Sequence, residues 1–390
     1  MALPSCTIST SILNVDCSSS GKIIYLPPAS TIQGVSLLIR DGAGTCSQAN
    51  SLFVSTTGLD RIDLYGSTLR LSTAYQSIRC VAWQSTQYAL VQNFTQGLAP
   101  FRALLTTNLN WTPRETTRAW TGVCLSSDGS KQFACVGNGQ IYKSEDQGVS
   151  WIPLAPTLVW TAIACSTDGF RIVAVTNGDR IYTSSDFGTS WIPRESFKSW
   201  TCVCSSANGS VLLAGTNSDF LYVSTNFGVT WTAVNIAANY TAVACSSDGT
   251  IQYAVTNGGT IYVSTDTGST WTSRDSSRSW RGVACSGDGT IAFATEGTYI
   301  YKSINTGVTW SPNLLFGGTW GPISCSSSAL AVLTVDTSTG LLYFSGTGGA
   351  TYSFSGDPAS YQALAVSTTA AVSIAAANPG TLYVGLLQLL

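Results

Sequence analysis

The chain has 390 residues, of which 44% are hydrophobic and only 10% are charged, and its formal net charge is −2. This composition predicts a buried core, and the lack of a basic excess excludes nucleic acid as an expected partner. An ordinary soluble domain has about 25% charged residues. A surface this poor in charge is weakly protected against self-association, which favours a protein that works within a larger assembly.

The N-terminal residues lack the charged and long apolar regions of a secretion signal. No apolar run in the sequence approaches the roughly 18 residues needed to cross a bilayer. We therefore expect no signal peptide and no membrane insertion.

Residues 1–95 carry no internal repeat. Short apolar or alternating segments at 34–40, 51–55 and 61–65 are typical of strands. We predict that this region is a small N-terminal β module, separate from a second domain over residues 96–390. An alternative is that residues 75–91 form a degenerate additional unit of the second domain, which would then have eight units.

The second domain is organised by a period of about forty residues. Each of its seven units begins with an aromatic residue, and the last unit is shorter than the others. These residues are Trp120, Trp160, Trp200, Tyr240, Trp280, Trp320 and Tyr361. Four strands of about five residues and four turns fill about forty residues, which is one blade of a β-propeller. The sequence therefore predicts an all-β fold with a seven-bladed β-propeller.

The ends of this domain predict how the ring closes. The last unit, 361–390, has room for three strands, and Trp111 precedes Trp120 by nine residues as Trp151 precedes Trp160. We expect the segment 103–112 to supply the missing fourth strand beside the C-terminal strands. Such a Velcro closure leaves only short, protected edges.

A second motif, S-x-[D/N]-x-G-x-x-W, recurs near the end of the third strand of each unit. Its five good copies are Ser144, Asp146, Gly148 and Trp151; Ser184, Asp186, Gly188 and Trp191; Ser224, Asn226, Gly228 and Trp231; Ser264, Asp266, Gly268 and Trp271; Ser303, Asn305, Gly307 and Trp310. Asp or Asn accepts backbone hydrogen bonds in a turn, Gly adopts a conformation that a Cβ disfavours, and Trp covers the hairpin end. We interpret these residues as structural, because Asn at two of the five positions argues against a metal site.

The motif resembles the Asp-box, or bacterial neuraminidase repeat, of sialidase-like and sortilin-like propellers. That resemblance implies a propeller fold and raises the hypothesis of a sialidase-like hydrolase, whose relatives carry an arginine triad and an F-R-I-P-like motif. Here only Phe101-Arg102 matches that motif, and the chain contains no His. Most acidic residues lie in turns, whereas most glycoside hydrolases need a pair of carboxylates. We therefore predict no catalytic residues, no cofactor and no bound metal.

Twelve Cys residues could indicate a disulfide scaffold, but six of them recur at one place in the first strand: Cys124, Cys165, Cys204, Cys245, Cys285 and Cys325. We expect buried free thiols in a reducing compartment. Equivalent positions in neighbouring blades are expected to lie too far apart to bridge. A local disulfide is the alternative for two sets of Cys residues, which are Cys124 with Cys135 and Cys6, Cys17 and Cys46.

Three loops that lead from a fourth strand to the next first strand are charged, whereas the other such loops are nearly neutral. The hypothesis of a partner-binding patch rests on seven cations: Arg114, Arg118, Arg194, Lys198, Arg274, Arg278 and Arg281. The alternative is that these side chains only solvate the loops and pair locally.

Residues 26–88 are similar to a small β module of structural and fibre-like proteins of large DNA viruses and tailed phages, although Leu64-Tyr65 departs from its pattern. Together with the low charge, this resemblance leads us to expect a non-enzymatic structural or attachment protein of a virus particle, such as a minor capsid, vertex or fibre-associated component. Its expected partners are other particle proteins, and a cell-surface glycan or receptor. The expected location is the virion, assembled in the host cytoplasm. The alternative is a carbohydrate-binding, lectin-like propeller at an extracellular surface.

Overall fold

The computed structural model describes residues 110–386, apart from 155, 314–317 and 356–357, and describes only the strands within 1–109. The chain divides into two compact units, one of residues 1–106 with 389–390 and one of residues 107–388. The regular elements that the structure describes are all strands, which confirms the predicted all-β fold. No helix in the described part is long and apolar enough for a bilayer.

The strands of the first unit form two sheets. Their bounds are β1 Ser11–Val15, β2 Lys22–Leu26, β3 Ser36–Asp41, β4 Leu52–Thr56, β5 Arg61–Ile62, β6 Thr68–Leu71, β7 Ser77–Gln84 and β8 Gln87–Phe94. The sheet orders are β1-β3-β7-β8-β5 and β2-β4-β6. The strands predicted at 34–40, 51–55 and 61–65 correspond to β3, β4 and β5. The segment 75–91, considered as an additional repeat, contributes β7 and β8 to the first of these sheets.

The second unit begins with the strands of the first three repeats, which we number by the aromatic residues given above. Their bounds are β9 Asn110–Arg118, β10 Trp120–Leu125, β11 Gln132–Gly139, β12 Ile141–Ser144, β13 Ile152–Pro153, β14 Leu158–Cys165, β15 Ile172–Ser184, β16 Ile192–Ser205, β17 Leu212–Thr216, β18 Asp219–Ser224 and β19 Thr232–Ala238. In this part several strands run from one repeat into the next, so β10 to β19 are joined in one ten-stranded sheet.

The remaining repeats form separate sheets of three or four strands. Their bounds are β20 Tyr240–Cys245, β21 Gln252–Ser264, β22 Thr272–Ser279, β23 Gly282–Cys285, β24 Ala292–Thr295, β25 Ile300–Ser303, β26 Ser311–Asn313, β27 Trp320–Cys325, β28 Val332–Asp336, β29 Leu341–Ser345, β30 Ser353–Ser355, β31 Tyr361–Val366, β32 Val372–Ala377 and β33 Gly380–Leu386. Consecutive strands pair antiparallel, as in the orders β23-β24-β25-β26 and β27-β28-β29-β30.

The hydrophobic core lies between consecutive repeats. Trp200, for example, is fully buried and packs with Val173 and Val175 of repeat two and with Leu212 of its own repeat. Equivalent clusters of described residues lie at the other junctions, and one of them joins Trp120 to strands β32 and β33 of repeat seven. The apolar second strands and the aromatic residue of each first strand are therefore buried from both sides, which explains why the sequence repeats them.

Strand β9 pairs antiparallel with β33, so it lies in one four-stranded sheet with the last three strands, in the order β31-β32-β33-β9. Trp111 pairs with Gly385, and its indole Nε1 donates a hydrogen bond to Ser355 Oγ at 2.8 Å. The strand extends to Arg118, beyond the predicted end at 112, because the chain passes a bulge and pairs again with Gly380. Residues 103–109 of the predicted strand lie outside the described part.

Candidate functional site

The recurring turn is held by hydrogen bonds among its own residues. In repeat one, Ser144 Oγ donates to Asp146 Oδ1 and accepts from the N–H of Gly148, both at 2.8 Å. Asp146 also accepts from the N–H of Ser150 at 2.9 Å and from its hydroxyl at 2.6 Å. Gly148 has a φ of 84°, a conformation that a side chain disfavours. The turn thus uses each residue that the motif repeats.

The copies with Asn keep this geometry, and so does a sixth, degenerate copy over residues 345–352. Asn226 accepts from the hydroxyl of Ser224 at 3.0 Å and donates from Nδ2 to Thr230 Oγ1 at 2.8 Å. In the degenerate copy Thr347 replaces Asp and accepts from the N–H of Thr351 at 2.9 Å. An ionised carboxylate is therefore not required by the turn. In the described part, no group of three or more His, Cys, Asp and Glu is placed to hold a metal ion.

The Asp copies nevertheless make folding sensitive to acid. The hydroxyl and N–H of Ser150 hold the pKa of Asp146 down at about 2, below its usual value of about 3.9. A carboxyl whose folded pKa is depressed stabilises the fold above its unfolded pKa, and this contribution is lost as the pH falls towards the folded value. The stability of the protein should therefore decrease between about pH 4 and pH 2.

We expect Asp146→Asn, which copies Asn226 and Asn305, to reduce this loss, so that its melting temperature falls less between pH 5 and pH 2.5 than that of the unmodified chain. The reverse change, Asn226→Asp, adds a carboxylate to the same turn and should increase the loss. Thermal melting followed by circular dichroism at both pH values tests this. Equal pH dependence in all three proteins would contradict the assignment.

The turns between first and second strands connect neighbouring repeats through their backbones. The N–H of Ser127 donates to the carbonyl of Thr167 at 2.7 Å, and the N–H of Thr167 donates to that of Ala207 at 2.8 Å. The same bond recurs from residue 207 to 247, from 247 to 287 and from 287 to 327. The first strands of consecutive repeats therefore approach each other closely at this end.

The repeated thiols were expected to be buried, free and too far apart to bridge between neighbouring blades, and no disulfide joins the thiols that the structure describes. Burial and the neighbouring thiol of Cys165 raise the pKa of Cys124, and the neighbouring thiol of Cys245 together with burial raises the pKa of Cys204. All described Cys residues are free thiols, including Cys135, the other half of the open pair with Cys124. Cys6, Cys17 and Cys46 lie outside the described residues.

The three charged loops share the sequence motif R-[E/D]-x-x-[R/K]-x-W and one backbone conformation. The acidic residue adopts the left-handed region in each of them, with φ of 59° at Glu115, 52° at Glu195 and 57° at Asp275. After this bulge the fourth strand pairs again with the preceding hairpin, as Lys198 does with Asp179. Charged and neutral loops alternate in the sequence from Trp120 to Trp320. The strands that follow the neutral loops pair again at the equivalent positions, as Leu158 does with Gly139 and Ala238 with Asp219.

The second cation of each charged loop has local partners. Arg118 pairs with Glu115 at 3.4 Å, Arg278 with Asp275 at 3.7 Å and Lys198 with Asp219 at 2.7 Å. The same cations stack on tyrosines, with Arg118 lying 4.6 Å from the ring of Tyr142. These contacts support the alternative of local pairing for Arg118, Lys198 and Arg278. Arg114 and Arg274 are held in the strands themselves, where their Nε atoms are buried.

The charged and neutral loops also differ in whether the aromatic residue that follows them has a hydrogen-bond acceptor. After neutral loops, Trp160 Nε1 donates to the carbonyl of Pro156 at 3.3 Å and the hydroxyl of Tyr240 donates to that of Ile236 at 2.7 Å. After charged loops, the buried indole N–H has no acceptor among the described residues; this holds for Trp120, Trp200 and Trp280. After two of the charged loops a guanidinium lies over the indole instead, with Arg118 5.9 Å from the centroid of Trp120 and Arg278 5.8 Å from that of Trp280.

Arg281 departs from a pattern that the earlier repeats keep. The residue after the first aromatic residue is Thr in repeats one to four, and its hydroxyl donates to the aromatic residue's carbonyl in the next repeat at 2.7–2.9 Å. Repeats five to seven have Arg281, Gly321 and Gln362 at this position. In repeat five Thr295, on the second strand, makes the bond instead, to the carbonyl of Gly321 at 2.6 Å.

A cavity of about 330 Å³ lies between the beginnings of the first strands of repeats four to seven, where the Thr pattern ends. Arg281, Gln362, Thr241 and Thr337 line it, and none of the lining residues is acidic. Arg281 is exposed, and its Nη1 donates a hydrogen bond to Thr337 Oγ1 at 3.4 Å. Arg281 is thus a cation without an acidic partner in the described part of the chain.

Sequence reasoning included Arg281 among the loop cations but missed Gln362 and the cavity. The signal was available, since the Thr that follows the aromatic residue is replaced in three consecutive repeats. Arg194, grouped with Lys198 in the sequence, instead lines a second cavity together with residues of two recurring turns. Phe101-Arg102 lies outside the described residues.

Solved structures resemble this chain, although no family model and no curated protein matches its sequence. "YCF48 from Cyanidioschyzon merolae" is 16% identical, with a TM-score of 0.57 over 71% of this chain and 98% of that chain. "YCF48 bound to D1 peptide" is also 16% identical, with a TM-score of 0.58 over 73% and 99% of the two chains.

Glycoside hydrolases are also among the similar structures. The GH74 xyloglucanase from Xanthomonas campestris is 15% identical, with a TM-score of 0.58 over 72% of this chain and 54% of that chain. The structure of RRP9 WD40 repeats is 11% identical, with a TM-score of 0.60. Identities this low indicate a shared fold and not a shared activity. The repeat region of this chain is a β-propeller.

Proposed function

We propose that residues 107–388 form a seven-bladed propeller, that β9 closes the ring, and that the recurring turn is an Asp-box. The pairing of β9 with β33 supports the closure, since it joins the first described strand of the region to the last. The cluster that contains Trp120 and Ile374 supports it as well, because it places repeat seven against repeat one. The hydrogen bonds between Ser, Asp and Gly support the Asp-box.

We further propose that this propeller is a non-enzymatic recognition module. The observation that carries this proposal is the cavity at Arg281, where an exposed guanidinium with no acidic partner in the described part of the chain stands at the position that holds Thr in repeats one to four. Departures from an otherwise consistent repeat are expected at functional positions. The cavity has no acidic lining residue, whereas glycoside hydrolysis by most families needs two carboxylates. An acidic group of a partner protein fits it better than a reacting sugar.

We place this recognition module in a structural or attachment protein of a virus particle, with residues 1–106 docking to the particle and the propeller facing outward. The resemblance of the N-terminal module and the low content of charge support this role. The similarity to a structure named as bound to a peptide supports a protein partner. A carbohydrate partner is the competing possibility, and the experiment below separates the two.

The test compares the full chain with Arg281→Thr, which restores the residue of repeats one to four, and with Lys131→Thr as a control for loss of one positive charge. Particles assembled with each protein should contain equal amounts of it by sedimentation. Adhesion of the Arg281→Thr particles to host cells should fall about tenfold, the loss expected for one charge-assisted contact, while Lys131→Thr should leave adhesion unchanged.

Failure of the unmodified chain to sediment with particles would reject the virion role. Unchanged adhesion of Arg281→Thr particles would reject the cavity as the recognition site. Loss of adhesion after deglycosylation of the cells, but not after protease treatment, would favour the carbohydrate partner.

A further inference from the structure

A second cavity, of about 240 Å³, lies between repeats two and three, beside their recurring turns. Its lining includes two guanidinium groups, two hydroxyl groups and two apolar side chains: Arg171, Arg194, Thr183, Ser190, Phe227 and Val229. No acidic residue is part of the lining. Neither arginine forms an ion pair in the described part of the chain.

Arg171 is fixed by contacts with repeat three. Its guanidinium lies over the ring of Phe227, with Cζ 3.9 Å from the centroid. Its aliphatic stem packs on Gly209, where an added Cβ would lie 2.9 Å from the Cδ of Arg171. A cation stacked at this distance is held in place while its N–H groups stay available for an anion.

Arg194 is fixed by a contact within its own repeat. Its Nε donates to Thr183 Oγ1 at 3.0 Å, and Thr183 is buried in the third strand of the same repeat. This bond occupies one of the five N–H donors of the guanidinium and leaves the terminal nitrogens for a ligand.

Two carboxylates lie near these residues without neutralising them. Asp186 accepts from the N–H of Ser190 at 2.9 Å and from its hydroxyl, so its oxygens are engaged within the turn. Asp168 accepts mainly from the hydroxyl of Ser166, and Arg171 contributes least among the groups that lower its pKa. The two guanidinium groups therefore face the cavity as its main charges.

No other junction in the described part of the chain combines two guanidinium groups with an aromatic ring at these positions. Between repeats one and two, Lys131 lies over Phe187 at 5.1 Å, but Leu154 stands where repeat two has Arg194 and packs against Gly188. In repeat four Arg274 occupies the position of Arg194, but the residues equivalent to Arg171 and Phe227 are Ile251 and Thr306. The cation pair with its aromatic support is particular to one junction.

The rim of the cavity is apolar and open to solvent. Phe227 is 40% exposed, Val229 54% and Ile192 48%. Exposed apolar side chains around a charged cavity favour a ligand that carries an anion and an adjoining apolar group. An inorganic anion or a sugar acid would leave this rim uncovered.

We propose that this cavity is a second binding site of the protein, which holds a carboxylate side chain of an acidic peptide segment between Arg171 and Arg194. An apolar residue next to that carboxylate packs on Phe227, Val229 and Ile192. The site is independent of the Arg281 cavity and of the virion role proposed above.

The experiment measures binding of two peptides to the full chain by isothermal titration calorimetry, acetyl-Glu-Leu-Glu-Leu-amide and its counterpart with Gln in place of Glu. The Glu peptide should bind about tenfold more tightly, and added salt should weaken its binding. Exchange of both arginines, Arg171→Gln with Arg194→Gln, should weaken it by about tenfold or more. Arg274→Gln, the matched control, and Arg281→Thr should each change it by less than about twofold.

Several outcomes would overturn the proposal. They are equal binding of the two peptides, no binding of the Glu peptide at millimolar concentration, a loss on Arg274→Gln or Arg281→Thr as large as that of the double variant, and binding of glucuronate as tight as that of the Glu peptide. If the double variant melts at a clearly lower temperature, the single variants replace it. Each of them should then weaken binding about threefold or more.

Discussion

Trp200→Ala should lower the free energy of unfolding by about 3–5 kcal/mol, the range for truncation of a large aromatic side chain in a core. Trp200 is fully buried, packs at the junction of repeats two and three, and makes an edge-on contact with Tyr222 at 5.0 Å between ring centroids. The alanine leaves a cavity at the junction, so side chains of both repeats lose packing contacts. Chemical denaturation of the full chain, analysed for the transition of the propeller, measures the loss.

Trp to Phe changes provide the control, because the indole N–H has an acceptor after a neutral loop and none after a charged loop in the described part of the chain. Trp200→Phe removes an N–H that has no acceptor in the described part, whereas Trp160→Phe also removes the bond to the carbonyl of Pro156. We expect the second change to be more destabilising by about 0.5–1.5 kcal/mol. A Trp200→Phe variant as unstable as Trp200→Ala, or more unstable than Trp160→Phe, would contradict this account of the junctions.

Deletion of residues 1–118 should be far more damaging than deletion of residues 1–106. The longer deletion removes β9 and leaves β33 as an open edge, with Leu382 and Val384 losing their cover. An open, apolar edge strand promotes aggregation. We expect the shorter deletion to give a monomer with a sharp thermal transition and the longer one to aggregate or to melt at a much lower temperature.

Size-exclusion chromatography and thermal melting of the two truncated proteins test this expectation. Trp111→Ala in the chain that starts at residue 107 is an independent check, because it removes the bond to Ser355 without removing the strand. Equal melting temperatures for the two truncations would contradict the proposed closure of the propeller by β9.

The sequence by itself determined the repeat and the propeller fold. The period of about forty residues and the apolar second strands are visible in one dimension, because each repeat buries the same face against its neighbour. The turn chemistry was also predictable, since Ser144, Asp146 and Gly148 interact with residues no more than four positions apart. Local interactions of this kind are fixed by local sequence.

Only the tertiary structure decided which charged residues are free and which thiols are neighbours. Arg118 and Arg281 look alike in the sequence, but the fold places Arg118 on Tyr142 and beside Glu115, and leaves Arg281 without an acidic partner. Cys124 and Cys165 meet because first strands that are forty residues apart converge. The second cavity joins Arg171 to Phe227, fifty-six residues further along the chain. Contacts between repeats depend on how the blades are arranged around each other, which the period predicts only in outline, so the residues that bind could not be told from those that pack.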